Sequence, residues 1–220
     1  MPLTFIKEIN KNTQLGLWRI EKNMQLEDIY SPVARLNIQN MCITRQSETI
    51  AVYNLLHQMT GRYDLSIEHL ASGKPYLAVD EQPTEHYISI SHTSTSSKTN
   101  YNGYASVIIS TESQVSVDIE YRSERIIRIA KRFLRKDEMA DIKIEDKDNY
   151  LTYLLLHWCA KETLFKLYSD EALTFQNMRV KNIGNIKKNG VLTCENLINK
   201  EKKEIHYEQN KEFVMTYCIG

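Results

Sequence analysis

Two carboxylates, Asp118 and Glu120, stand two residues apart in the run VSVDIE (115–120). Alternate side chains of a β-strand share a face, so Ser116, Asp118 and Glu120 point one way and Val115, Val117 and Ile119 the other. Acids at that spacing are roughly 6.5 to 7 Å apart along the backbone, near enough for flexible side chains to converge on one cation. The run therefore reads either as part of a divalent-metal site or as an amphipathic strand with its acidic face in water. A third acid, Glu162, lies in YLTYLLLHWCAKETLFKLY (150–168). At 100° per residue Leu151, Leu155, Trp158 and Glu162 form one stripe, with Lys166 at its edge. Glu162 and Lys166 also have the spacing of an ordinary i, i+4 ion pair on an exposed helix. An apolar stripe points inward, however, where a carboxylate is costly without a partner, and a cation shared with Asp118 and Glu120 would supply one. Three acids around a hard cation suit magnesium, which takes oxygen ligands and commonly bridges to phosphate. The remaining phosphate charge calls for cations, and the candidates are Lys74 in GKP, His92 beside Ser91 in ISISH, and Lys166. Singly, Lys74 also reads as a solvated turn lysine, His92 as a structural histidine, and Ser91 as a local backbone partner.

The elements that must position these groups follow from the pattern. LGLWRI (15–20) predicts a short strand, and Gln46 to Met59 a helix with Ile50, Leu55, Leu56 and Met59 near helical spacing, closed by Gly61. GKPYLAV (73–79), YISISHTS (87–94), YASVIIS (104–110) and VSVDIE predict strands, with an exposed loop, STSSKTNYNG, before YASVIIS. SERIIRIAKRFLRKDEMADI predicts one helix, KIEDKDN a charged linker, 150–168 a second helix, and EFVMTYCIG a terminal strand. Both halves offer an early helix followed by strands, which predicts a two-lobed α+β protein with its site in the cleft between lobes.

Composition narrows the partners. Lys plus Arg and Asp plus Glu both number 28, so there is no net basic field to draw the chain to nucleic acid or an anionic membrane. Cys42, Cys159, Cys194 and Cys218 are scattered, without zinc spacing, and read as reduced thiols. No apolar run is long enough to span a bilayer and the start lacks a signal-peptide core, so the expectation is a cytoplasmic protein.

GKPYL, SISHTS, VDIE and WCAKETLFK, in that order, resemble the motif series of the 4′-phosphopantetheinyl transferases of the larger, surfactin-synthetase-activating type. WCAKETLFK, which matches a W-S/C-x-K-E-x-x-x-K signature, is the specific part. The resemblance implies two pseudo-symmetric α+β lobes in one chain, residues 1–112 contacting coenzyme A and residues 113–220 carrying the metal and catalytic groups. It implies transfer of 4′-phosphopantetheine from coenzyme A to a serine of an apo acyl or peptidyl carrier protein, releasing 3′,5′-ADP, in fatty acid, polyketide or nonribosomal peptide biosynthesis. Asp118, Glu120 and Glu162 would hold magnesium, with Glu162 and Lys166 catalytic. Arg45, Lys74, Ser91, His92, Lys161 and Lys166 would contact coenzyme A. The family usually has glycine where Ser116 stands, and the loop at 95–103 is longer than usual. A monomer is expected. Two other readings use the same residues: a magnesium-dependent phosphoryl hydrolase with water as nucleophile, and a non-catalytic scaffold binding coenzyme A or a carrier protein.

Overall fold

Alternating apolar and polar residues in the first twenty positions fold back on themselves as a hairpin, β1 (Leu3–Asn10) and β2 (Thr13–Ile20). The computed structural model describes residues 2–21, 24, 28–32, 38, 41–95, 103–142, 146–169, 173–181 and 183–220. The loop expected after SISHTS (96–102) and part of the charged linker (143–145) lie outside the described residues. The chain divides into two units, Met1–Val115 and Ser116–Gly220, each with its own sheet.

In the first unit β6 (Tyr87–Ser94) and β7 (Gly103–Ser110) join the hairpin in an antiparallel sheet of order β1-β2-β7-β6. Helix α1 (Ile43–Thr60) lies on it, three residues longer at its start than the spacing suggests. A side chain at Gly16 of β2 would come within 2.7 Å of Leu55 and 2.8 Å of Met59, so glycine there permits the close approach of helix to sheet. Gly61 ends the helix in the left-handed region (φ 69°), its N–H donating to the His57 carbonyl, as expected. A separate three-stranded sheet is formed by β3 (Ser66–His69), β4 (Pro75–Val79) and β5 (Gln82–Pro83).

The second unit opens with β8 (Val115–Tyr121), which heads a five-stranded sheet of order β8-β12-β11-β10-β9. Its other strands are β9 (Met178–Lys181), β10 (Asn189–Asn196), β11 (Lys202–Gln209) and β12 (Phe213–Ile219). The single helix expected over 123–142 is instead two, α2 (Arg125–Phe133) and α3 (Lys136–Ala140). Leu134 and Arg135 are extended between them (ψ 137° and 160°), which buries Leu134 and lets the Glu138 carboxylate accept the Arg135 N–H at 2.9 Å. Helix α4 (Lys147–Leu167) packs on β9 to β12, and Leu154, Ala160 and Leu164 share its core with Leu192, Ile205 and Val214. Asp146 caps it by accepting the Asn149 N–H at 2.8 Å. The helix is buried almost all round, and the predicted stripe is its boundary: Leu151, Trp158 and Glu162 are half-buried, while Cys159, Ala160 and Thr163 are fully so. Among the described residues no helix is long and apolar enough to cross a membrane.

Candidate active site

The acidic face of β8 does not look into water. Ser116 is fully buried and Asp118 is 5% exposed, which removes the reading of VSVDIE as a solvated amphipathic strand. That face meets α4, and the contacts run in opposite order along the two elements. Arg122 bonds Asp148 and Thr152 near the start of α4, Glu120 accepts the indole N–H of Trp158, and Asp118 meets Lys166 near the end. Strand and helix therefore run antiparallel, with the alternate residues of one facing successive turns of the other.

Around Asp118 the charges are close. Lys166 Nζ lies 2.9 Å from Asp118 Oδ1 and donates to the Val117 carbonyl, also at 2.9 Å. Burial and the neighbouring charge of Asp118 push the Glu162 carboxyl up to about 7, with Lys166 opposing. Burial, and then the charges of Asp118 and Glu120, hold the Cys159 thiol well above its ordinary range, so it stays protonated in the floor of the site. Trp158 Nε1 donates to Glu120 Oε1 at 3.0 Å, and its ring is fixed by Phe133 and Phe175, with centroids 5.3 and 5.2 Å away.

Three hard carboxylate oxygen donors on one strand–helix seam fit magnesium in their chemistry. Among the described residues no group of three or more His, Cys, Asp or Glu side chains is already assembled closely enough to hold a metal ion. Lys166 bonds Asp118, and Trp158 bonds Glu120.

Lys161, expected among the coenzyme A contacts, is placed elsewhere. It has no exposed surface, and its three ammonium protons go to Glu138 Oε2 (2.6 Å) and to the carbonyls of Phe133 (2.8 Å) and Phe175 (3.2 Å). Glu138 in turn accepts the backbone N–H of Val180 at 2.8 Å and of Arg135. Lys161 thus ties α2, α3, the turn Phe175–Asn177 and, through Glu138, β9 to the middle of α4, one residue before Glu162. A sequence cannot separate this ammonium from a ligand cation, because its partners lie in segments whose folding it does not reveal.

In the first unit the structure joins Arg45 and His92. Arg45 Nη1 is 2.7 Å from His92 Nε2, and Glu48, which the sequence reading passed over, lies 3.3 Å from His92 Nδ1 and 3.5 Å from Arg45 Nη1. Guanidinium only donates, so this geometry puts the imidazole proton on Nδ1, facing Glu48. Burial raises the Glu48 carboxyl, but its hydrogen bond to His92 and its contact with Arg45 outweigh it and the net shift is downward. Ser91 is buried and, as the strand alternates, faces away from His92, opposite Ser106 of β7. Lys74 leaves a turn shaped by Gly73 (φ 86°), and its ammonium reaches Gln114 Oε1 at 3.1 Å.

No curated protein matches the chain. Residues 114–218, the part that carries β8, α4 and every carboxylate proposed above for a metal, match the family model of the 4′-phosphopantetheinyl transferase superfamily.

Proposed function

We propose that the protein transfers 4′-phosphopantetheine from coenzyme A to a serine of an apo acyl or peptidyl carrier protein. The observation that supports it best is buried Asp118 with half-buried Glu162 and Lys166 beside it, all within the segment that matches the superfamily. Asp118, Glu120 and Glu162 would hold magnesium, which when bound supplies positive charge to the pyrophosphate during transfer. Glu162 would take the proton of the attacking serine hydroxyl, directly or through a water. The serine oxygen forms a bond to the phosphorus bearing pantetheine, the pyrophosphate P–O bond breaks, and 3′,5′-ADP leaves with the electron pair. Lys166 carries an ammonium that neutralises the charge growing on the leaving phosphate. Arg45, Lys74, Ser91 and His92 serve as coenzyme A contacts, while Lys161 holds the fold. The protein acts as a cytoplasmic monomer.

The test is incubation with coenzyme A, magnesium and apo carrier proteins from fatty acid and secondary-metabolite systems, followed by intact mass. A phosphopantetheine-sized gain that needs the carrier serine supports the reading. Phosphate release without a carrier would replace it with hydrolysis, and coenzyme A binding without any transfer would replace it with a scaffold.

A further inference from the structure

We infer that the second unit carries an anion pocket for a phosphate-bearing small molecule at the end of β8, formed without any residue assigned to transfer. A cavity of about 570 Å³ is lined by Arg122, Asp148, Lys188, Gln209, Asn210 and Lys211, a volume within the usual range for small-ligand sites. Its floor is built rather than incidental. The Arg122 side chain is only 8% exposed and is held by Thr152 Oγ1 (2.7 Å), Asp148 Oδ1 (2.7 Å) and the Asp148 carbonyl (3.3 Å). Guanidinium has five N–H donors, so these bonds leave two with no acceptor among the described residues. The one acid in the lining, Asp148, stands at the rim with 81% of its side chain exposed.

Lys188 and Lys211 add two ammonium groups to the lining. The first turn of α4 contributes the positive end of a 21-residue helix. The β11–β12 turn is fixed by Asn210, whose Oδ1 accepts the Glu212 and Phe213 N–H groups, and Gln209 is anchored to the Lys187 carbonyl, so Lys211 projects from a set loop. Three cations against one exposed carboxylate match a compact dianion, and planar guanidinium at the floor favours the tetrahedral oxygens of phosphate.

The test is calorimetric titration of the full chain with inorganic pyrophosphate and with glycerol phosphate, in EDTA, with and without saturating coenzyme A. Binding of pyrophosphate alone identifies a free polyphosphate as the ligand, and binding of both identifies a phosphate ester. The K188A/K211A variant should bind at least tenfold more weakly while carrier modification stays as in wild type, and R122K should weaken binding without unfolding the chain. No binding at millimolar concentration, or unchanged affinity in K188A/K211A, overturns the inference. Neither lysine belongs to the site proposed for transfer, so the K188A/K211A comparison reads this pocket whether or not the transferase reading stands.

Discussion

Replacing Lys161 by methionine separates the role the structure gives it from the one its motif implies. The substitution keeps the length of the stem and removes an ammonium whose three protons all have acceptors, at 2.6, 2.8 and 3.2 Å. It leaves the Glu138 carboxylate, 3% exposed, with only the Val180 and Arg135 N–H groups. Breaking a buried pair from one side costs about 3–5 kcal/mol, because the remaining charge keeps its desolvation penalty. With a urea dependence of about 2 kcal/mol per molar, the midpoint of unfolding should fall by about 1.5 to 2.5 M. E138Q should cost a comparable amount by stranding the lysine. The double variant K161M/E138Q should cost about 2 kcal/mol less than the sum of the two, since no buried charge remains. Urea unfolding of all four proteins, alongside coenzyme A affinity for each at a concentration of urea where all are folded, decides the matter. K161M within about 1 kcal/mol of wild type but with weakened coenzyme A binding would refute the structural role and restore the ligand role.

Other outcomes follow from the same geometry. E162Q, which removes the base but leaves volume and burial in place, should lower transfer by about 10²- to 10⁴-fold with an unchanged circular-dichroism spectrum; near-normal turnover would remove the assigned role. W158F should weaken magnesium binding by about 10- to 100-fold in a direct titration, because Glu120 loses the N–H that orients it. His157, 1% exposed and bonded to the Tyr153 carbonyl, is pushed down to about 4 by burial. The unfolded chain therefore binds the extra proton between about 6.5 and 4, and stability falls as pH drops through that window, by about 3 kcal/mol from this group. An H157N variant should lack that part of the acid dependence in urea unfolding at stepped pH. Sedimentation should give a monomer, and an obligate trimer would contradict the proposal.

The strands with clean alternation, YISISHTS and VSVDIE, and the helix closed by Gly61 were legible because one local pattern sets each of them. Strands β10 and β11 were not, since VLTCEN and KKEIHYEQ place Lys, Glu and Thr on their outer faces, and the residues they bury, Leu192, Cys194, Asn196, Ile205 and Tyr207, include a polar one. The break at Leu134 and Arg135 was hidden because its cause is tertiary: Lys161 takes the Phe133 carbonyl and Arg135 reaches the Gln176 carbonyl at 2.5 Å. The acids of the site showed in their spacing, but the strand alone left open whether they faced water or the interior. What decides it is the antiparallel run of α4 over β8, which no residue count along the chain reveals.

Transfer to a carrier serine is tested most directly by the intact mass of an apo carrier protein after incubation with this protein, coenzyme A and magnesium, beside an EDTA control and a carrier Ser→Ala control. A gain of one phosphopantetheine is expected, and it should disappear in both controls and with E162Q. An unchanged carrier mass across several unrelated carriers, with coenzyme A demonstrably bound, would contradict it.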